Sequence, residues 1–534
     1  NYPPGFAYIL WIINKIYAFF KDPYNISEYW LDTNAFYLFL IKTLTIAADL
    51  LVVWLIIKIA QRLQRANLGK ILALAYFLNP AVIYDGVIWG QVDQFGLALF
   101  LLSVYFLVTF RPHAGSIVFT LSCLMKFQNI IFIPLFYLFI FKFYSFKQVI
   151  TSVRTSLIAF LIIVSPFLLA KQMDRLLYLL TVNSDWFPWY SLNAFNIWWI
   201  ASGLRGMELV DKHLIVGITN AKQFGLVLYI FAYFIACITL FFSKKEEVVK
   251  NFILACSLAV FGFFHLLTQS HERYLYPLMG LLPILFIYSS RDRPIKLFFI
   301  FYVLFSLFFF LNMYLSMIWN YPDQGYMPFS KETTQSFSLI ISLAQIGLFF
   351  IFTFIYFRSA VVKYRFVLIS FAGLLIAALV VKNVNYLLKR PILLASLKPI
   401  SYHQDYLVPV RNKTVESERG VKFWNRLSVN YYFYEKGIGS HADSSITYDL
   451  NKQFSRFSSD YGLDTESAET AQVFFLIEAD GKEIFRSKPV GRFDPPGSTE
   501  LNIKGVEYLT LKIKKAGESN FGAHADWLNP ILVR

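Results

Sequence analysis

Cysteine is scarce in this sequence, with only 3 among 534 residues. Cys123, Cys237 and Cys256 all fall within apolar stretches, so the polar C-terminal region contains none. A disulfide framework is therefore excluded there, and the cysteines do not indicate a redox compartment. The seven histidines lack the paired spacing that is typical of zinc ligands, so no metal site is predicted.

Charged residues are also few, at 16% of the chain, whereas hydrophobic residues make up 57% and include 57 phenylalanines. A soluble core of ordinary composition does not have this balance, so most of the chain is expected to lie in lipid. The formal net charge of +15 would suit nucleic acid, but Lys and Arg lie mainly in short loops between apolar segments. The positive-inside bias accounts for that placement, and no nucleic-acid partner is predicted.

A change of composition near Val381 divides the chain into two domains. Residues 1–382 are predicted to form an α-helical, multi-span membrane domain, and residues 383–404 a linker. Residues 405–534 carry short alternating stretches separated by turn residues, a pattern that predicts an all-β sandwich. Ala479-Asp480-Gly481-Lys482 is predicted to be a hairpin turn within it.

A membrane-spanning helix needs about 20 apolar residues, and about ten segments come near that length. Basic residues concentrate in every second loop, which assigns those loops to the cytoplasm. The alternate loops and the C-terminal domain are then extracytoplasmic, in a multi-pass protein whose partners include membrane lipids. The predicted spans are residues 35–60, 71–88, 94–110, 148–169, 213–242, 251–268, 275–290, 296–318, 337–357 and 366–382.

Two segments depart from this simple pattern. Residues 116–141 are too long for one span and too short for two, which predicts a broken or re-entrant pair that turns near Lys126. Lys126 is either a functional group within the membrane or a lysine that snorkels from a helix end. Residues 5–20 are predicted to form an aromatic-rich interfacial helix, and the start at Asn1 predicts that an earlier span precedes this sequence.

Polar residues concentrate in three of the external loops, at residues 85–95, 183–199 and 269–277. A carboxylate can accept a proton from an acceptor hydroxyl, Arg and His can hold a phosphate, and aromatic faces can pack against a sugar ring. The alternatives are that the aromatic residues anchor the protein at the membrane interface and that Glu272 and Arg273 only neutralise each other. The candidate substrate-binding residues are Trp89, Gln91, Asp93, Lys126, Gln128, Asp185, Asn193, Asn196, Trp198, His271, Glu272, Arg273 and Tyr274.

Five motifs follow one another along the chain. They are Asn1-Tyr2-Pro3-Pro4, Asn79-Pro80 before Trp89-Gly90-Gln91-Val92-Asp93, Lys126-Phe127-Gln128, Asn193-Ala194-Phe195-Asn196-Ile197-Trp198 and His271-Glu272-Arg273-Tyr274. In this order they resemble the GT-C class of polytopic glycosyltransferases, and most closely its branch of lipid-phosphate-glucose-dependent enzymes and their bacterial relatives. The resemblance implies a bacterial plasma-membrane enzyme that transfers glucose or mannose from a polyprenyl-phosphate donor to an extracytoplasmic glycan or glycolipid, with inversion and without a cofactor.

The same resemblance assigns roles to individual residues. The family's catalytic Asp precedes the Tyr-Pro-Pro motif, so the base is expected upstream of Asn1. Asp93 is a weak candidate for that role and a better one for a substrate contact. His271 and Arg273 are expected to hold the donor phosphate.

Two motifs characterise the C-terminal region, Lys436-Gly437-Ile438-Gly439-Ser440-His441-Ala442 and His524-Ala525-Asp526-Trp527. They give the region a resemblance to the NPCBM group of carbohydrate-binding modules. It implies that His441, His524, Asp526 and Trp527 contact carbohydrate, although His441 and Trp527 would equally suit the sandwich core.

Two other functions fit part of the sequence. A transporter or flippase of lipid-linked sugars would also need a polar cavity between helices, although paired internal repeats are not evident. A non-catalytic cell-wall receptor would leave the intramembrane Lys126, Asp93 and Arg273 without a task.

Overall fold

The computed structural model describes residues 3–29, 31, 33–172, 187–211, 219–289, 295–320, 331–388, 391–419, 425–430 and 432–534. It divides into two compact units. Unit 1 comprises Asn1–Gly206 and Phe224–Gly373, and unit 2 comprises Met207–Gln223 and Leu374–Arg534.

Unit 1 is built from helices whose ends follow the polar residues and prolines of the sequence. Asn34, Asn79 and Ser145 accept hydrogen bonds from the first backbone N–H groups of their helices, as N-cap residues do. Pro112 occupies the first turn of its helix, where no N–H is required. The helices are α1 (Pro4–Tyr17), α2 (Ile26–Tyr29), α3 (Ala35–Arg62), α4 (Ala66–Phe77), α5 (Pro80–Ile83), α6 (Asp93–Val108), α7 (Pro112–Met125), α8 (Ile133–Phe143), α9 (Phe146–Leu169), α10 (Ile197–Ala201), α11 (Ala221–Phe241), α12 (Val248–Leu266), α13 (Leu278–Ser289), α14 (Ile295–Asn320), α15 (Lys331–Lys363) and α16 (Arg365–Leu388).

Seven helices among the described residues are long and apolar enough to cross a membrane, or eight if the bent pair Ala66–Phe77 and Pro80–Ile88 is one span. The spans predicted at 94–110 and 275–290 correspond to the shorter apolar helices α6 and α13. The predicted helical, multi-span fold class is confirmed. The seven are Ala35–Arg62, Phe146–Leu169, Ala221–Phe241, Lys245–Leu266, Lys296–Asn320, Thr333–Lys363 and Arg365–Asn383.

The predicted break near Lys126 is present. Helix α7 ends at Met125, Lys126 has extended backbone, and a 3-10 turn at Phe127–Phe132 leads into α8. Since α6 and α7 are joined by only three residues, they run antiparallel, and the end of α7 returns to the start of α6.

Unit 2 contains a β-sandwich of antiparallel strands, as the sequence predicted. One sheet has the order β12-β8-β14-β6-β3 with β1 beside β14, and the other has β10-β9-β13-β7-β2 with β11 beside β9. The strands are β1 (Ile392–Leu393), β2 (Ser401–Gln404), β3 (Val410–Arg411), β4 (Leu427–Val429), β5 (Tyr432–Tyr434), β6 (Gly437–His441), β7 (Ser444–Asp449), β8 (Arg456–Leu463), β9 (Gln472–Ala479), β10 (Lys482–Arg486), β11 (Val490–Gly491), β12 (Gly497–Asn502), β13 (Tyr508–Lys515) and β14 (His524–Val533).

Two local predictions for the sandwich can be compared with these strands. The predicted hairpin is present, because Ala479 pairs with Lys482, and Asp480 and Gly481 have the positive φ values that a tight hairpin turn requires. The segment 383–404 is more than a linker. It completes α16 and then contributes β1 and β2 to the two sheets.

Candidate functional site

Four charged side chains from three segments of unit 1 meet beside the first turn of α6. Lys126 Nζ is 2.8 Å from Asp93 Oδ1, and Arg273 Nε is 3.8 Å from Asp93 Oδ2. Arg273 Nη1 donates a hydrogen bond of 2.7 Å to Glu272 Oε1. We refer to Asp93, Lys126, Glu272 and Arg273 as the charge cluster.

Exposure differs between the two signs of charge in this cluster. The carboxylate side chains of Asp93 and Glu272 are 3% and 4% exposed, whereas those of Lys126 and Arg273 are 16% and 20% exposed. A ligand that reaches the cluster therefore meets the cations first. Arg273 Nε and Asp93 Oδ2, which face each other at 3.8 Å, are buried and have no hydrogen-bond partner among the described residues, so the polar groups of the cluster are not fully satisfied.

Helix ends place the first two members of the cluster. Asp93 begins α6, where the helix dipole favours a carboxylate, and Lys126 follows the last residue of α7, where the dipole favours a cation. Gly96 lets the two segments approach, because a Cβ at that position would lie 2.9 Å from Lys126 Cβ. Asn129 and the hydroxyl of Ser122 both donate to Gly96 O, which fixes the break against α6.

The predicted motif at residues 271–274 lies on the connection between α12 and α13. Burial would raise the pKa of Glu272, but the hydrogen bond with His271 and the charge of Arg273 outweigh it and lower that pKa to about 2. Burial, followed by the charge of Arg273, lowers the pKa of His271, so its imidazole is neutral near pH 7. Gln128 donates to Tyr274 O at 2.6 Å and joins this connection to the segment after Lys126.

The loop that carries Asn193 packs directly on His271. Leu192 and Asn193 both form backbone bridges with His271, and Asn193 has a positive φ of 59°. Asn312, on α14, donates to Asn193 O at 2.8 Å and accepts from Phe195 N at 3.0 Å. The sequence analysis named Asn193 and His271 as separate candidates, which the structure brings together, and it missed Asn312, an amide inside an apolar helix.

Asn196 and Trp198 anchor this loop rather than face the charge cluster. The Asn196 side chain caps α10 and also donates to Phe264 O at 2.8 Å. Trp198 Nε1 donates to Leu266 O at 2.8 Å. These contacts show that both residues hold the loop in place, and their predicted contact with substrate stays a prediction.

Trp89 and Gln91 lie in the turn between a π-helix at Tyr84–Ile88 and α6, and both are half-buried. The turn is tied to Asp85, whose backbone oxygen accepts from Gln91 N at 2.8 Å. The Asp85 side chain is fully buried and accepts a hydrogen bond of 3.2 Å from Gln94. Within the described ranges, no side-chain hydrogen bond or ion pair joins Trp89 or Gln91 to the charge cluster.

Another buried carboxylate, that of Asp49, was not predicted as a site residue. Asp49, inside the apolar helix α3, accepts hydrogen bonds from Tyr76 at 2.6 Å and from Tyr276 at 3.2 Å. An acidic residue within a predicted span was the signal that could have identified it. Asp185 and Asn1, in contrast, lie outside the described residues.

Unit 2 contains a cavity of about 550 Å³ that includes two of the predicted carbohydrate contacts. The rings of His441 and His524 lie 5.2 Å apart, and Tyr406 packs 5.0 Å from His441. Phe521 forms an exposed wall, with 82% of its surface accessible. The cavity is lined by Asp405, Tyr406, Glu416, His441, Ser519, Asn520, Phe521, Gly522 and His524.

The other two predicted carbohydrate contacts are interior residues. Trp527 has no exposed surface and packs 5.1 Å from Phe475 and 6.1 Å from Tyr461, ring centre to ring centre. Asp526 is buried and interacts electrostatically with the carboxyl group of Asp464. Burial at this position favours the alternative that Trp527 serves the sandwich core, and neither Trp527 nor Asp526 lines the cavity at His441 and His524.

No group of three or more His, Cys, Asp or Glu side chains in the described part of the chain is arranged to hold a metal ion.

Comparison with known proteins identifies the C-terminal domain. Residues 390–533 match the NPCBM/NEW2 domain, which confirms the predicted resemblance and extends it upstream of residue 405. Over 122 residues the chain is 30% identical to a putative endo-alpha-N-acetylgalactosaminidase from Renibacterium salmoninarum, across 23% of this chain. The match spans 8% of the length of that relative.

Solved structures align with both regions at low similarity. The CBM51 module of a Clostridium perfringens GH95 protein, in complex with methyl-galactose, aligns with 27% of this chain and 99% of its own, at 23% identity and a TM-score of 0.24. The arabinosyltransferase EmbB of Mycobacterium smegmatis aligns with 91% of this chain and 56% of its own, at 11% identity and a TM-score of 0.20. At these TM-scores, neither alignment indicates a function for this protein.

Proposed function

We propose that this protein is a bacterial membrane glycosyltransferase of the GT-C type. It transfers a hexose, glucose or mannose, from a polyprenyl-phosphate donor to an extracytoplasmic glycan or glycolipid, with inversion. The C-terminal domain binds carbohydrate on the same side of the membrane. The observation that carries the proposal is the charge cluster, in which the partly exposed cations Lys126 and Arg273 contact buried carboxylates.

Lys126 and Arg273 are suited to the phosphate of such a donor. During transfer, the bond between the anomeric carbon and the phosphate oxygen breaks, and the phosphate takes the electron pair. Cations that are fixed in place before the reaction stabilise that developing charge without reorganisation. Arg273 Nε still lacks a hydrogen-bond partner among the described residues, and a guanidinium can bind phosphate through several N–H groups.

The buried carboxylates orient these cations. Asp93 is close to both Lys126 and Arg273, and Glu272 holds Arg273 from the other side. Because Asp93 contacts both cations, we assign it the role of a positioning residue. The base that takes the acceptor proton stays a prediction of the family resemblance, which expects it upstream of Asn1.

The C-terminal domain gives the reaction a glycan site. Its cavity combines the exposed ring of Phe521 with the polar groups of Asn520, Glu416 and two histidines, a combination that suits a neutral sugar. A glycan held there would have a raised effective concentration at the membrane surface.

The test is a transfer assay with the full chain, including any upstream segment of its reading frame, in membranes. Labelled polyprenyl-phosphate glucose and mannose are supplied, and label is followed into lipid and glycan products. Arg273→Ala should abolish transfer and weaken donor binding, while Arg358→Ala, at a distant arginine that contacts Phe354, should leave both intact.

The assay also separates the alternative functions. Label that crosses the membrane without forming a new glycosidic bond would identify a flippase. Glycan binding without donor binding or transfer would identify a receptor. Either result would contradict the proposed glycosyltransferase.

A further inference from the structure

Unit 2 has a second cavity, of about 350 Å³, whose lining charges differ from those of the cavity at His441 and His524. We call the latter the carbohydrate cavity. The second cavity lies between the segment 395–399 and strands β2, β3, β6 and β7, and the side chain of Tyr402 lies at its edge with 55% of its surface exposed. We call it the basic cavity. The lining residues that matter here are Ser396, Lys398, Pro399, Tyr402, Pro409 and Arg411.

The charges that line this cavity are all positive among the described residues. Lys398 and Arg411 are both exposed, and no acidic side chain lines the cavity. The carbohydrate cavity, in contrast, is lined by Asp405 and Glu416. The basic cavity is therefore complementary to an anion.

Exposed apolar side chains surround the same cations. Ile400 is 57% exposed and Val408 is 38% exposed, and both come from the segments that line the basic cavity. Apolar and tyrosine side chains together with Lys and Arg are typical of protein surfaces that lie at a membrane interface. A soluble anionic ligand would explain the cations but not this apolar rim.

The chain connection limits how far this surface lies from the membrane. Helix α16 contains the candidate span Arg365–Asn383 and ends at Leu388, and β1 begins at Ile392. Four residues reach at most about 14 Å even when fully extended. Ala395 and Ser396, the first residues along the chain that line the basic cavity, come directly after β1 and Leu394.

We propose that the basic cavity and its apolar rim dock on anionic phospholipid headgroups. Lys398 and Arg411 bind the headgroup phosphates, and Ile400, Tyr402 and Val408 enter the interface beside them. The dock would hold the C-terminal domain against the bilayer and fix the height at which the carbohydrate cavity is presented. The proposal does not depend on the transferase activity.

The test uses the full chain in nanodiscs and a fluorescent label at Ile400→Cys, in a background with Cys237, the least buried native cysteine, replaced by alanine. Lipids with a spin-labelled headgroup quench a label that touches the interface. Quenching should be strong in phosphatidylcholine discs that contain phosphatidylglycerol and should largely disappear in phosphatidylcholine alone. A label at Ser498→Cys, on the opposite edge strand β12, should not be quenched.

Charge reversal supplies a second arm. Lys398→Glu with Arg411→Glu should abolish the lipid-dependent quenching at position 400, while Lys504→Glu, an exposed lysine beyond β12, should leave it unchanged. Absent quenching, quenching that ignores lipid charge, or equal quenching at position 498 would overturn the proposal. So would a response of the label to soluble polyglucuronate but not to lipid charge, which would assign the cavity to an acidic glycan.

Discussion

Lys126 and Asp93 form an ion pair of 2.8 Å between the end of α7 and the first turn of α6. The pair exists because two short antiparallel helices bring positions 33 residues apart in the chain to the same level. Each charge also sits at the helix end whose dipole favours it. The pair is thus stabilised locally before Arg273 and any ligand contribute.

A double-mutant cycle separates the structural and functional roles of this pair. Lys126→Met should destabilise the protein by about 3–5 kcal/mol, because it leaves Asp93 buried with only the more distant Arg273 as its partner. Adding Asp93→Asn should recover most of that loss, since no uncompensated charge remains. Thermal unfolding in detergent measures both effects.

Transfer activity should not follow stability in this cycle. If Lys126 binds the donor phosphate, the stable double variant will still lack transfer. A double variant that regains both stability and transfer would show that Lys126 serves the fold alone.

Gly96→Ala tests how closely the break at Lys126 must approach α6. The added Cβ would lie 2.9 Å from Lys126 Cβ and 3.1 Å from Asn129 Nδ2, so the backbone after α7 must move. We expect a loss of about 1–3 kcal/mol in stability, as in other overpacked sites, together with a reduced transfer rate.

The matched control for this substitution is Gly373→Ala, in α16, where nothing lies within 4 Å of the added Cβ. This control should be neutral or slightly stabilising, because alanine is the better helix former. Equal effects of the two substitutions would argue against close packing at Gly96 as the cause.

Phe521 should contribute to glycan binding and Trp527 to the stability of the domain, although only Trp527 was predicted from the sequence to contact carbohydrate. Phe521→Ala should weaken glycan binding about tenfold, the equivalent of about 1.4 kcal/mol of lost ring contact, without unfolding the domain. Trp527→Ala should cost about 3–5 kcal/mol of stability, because it empties a fully buried site between Phe475 and Tyr461. Glycan-array binding and thermal unfolding of the two variants distinguish these outcomes.

The sequence predicted the features that depend on local pattern. Apolar runs located the helices, the polar stretch around Lys126 located the break, and Asp480-Gly481 located the hairpin. The motif at 271–274 was also a correct guide to part of the charge cluster.

Features that depend on distant packing were not predictable. Nothing local to Asn312 indicates that its amide holds the backbone of Asn193 and Phe195, because those residues lie more than a hundred positions away. Trp527 lies three residues after His524 in the sequence, yet alternation along β14 and the packing of the second sheet bury it completely.

Asp464 and Asp526, the buried carboxyl pair of the sandwich, should make the stability of the domain depend on pH. Burial, reinforced by the charge of Asp464, raises the pKa of Asp526 well above its ordinary value of 3.8. The folded domain therefore retains a proton that the unfolded chain has released. The stability from this proton is fully present below pH 3.8 and is lost as the pH rises through the raised pKa of the folded state.

Asp526→Asn should remove this dependence, because an amide stays neutral at every pH and can still donate a hydrogen bond to Asp464. Relative to the original protein, the variant should gain stability as the pH increases. Heat-induced proteolysis within β8 and β14, followed by mass spectrometry across the pH range, measures the difference in the full chain. Asp449→Asn, at an exposed carboxylate of β7, is the control and should preserve the original profile. If the stability of Asp526→Asn changes with pH in the same way as that of the original protein, Asp464 and Asp526 do not hold the proton.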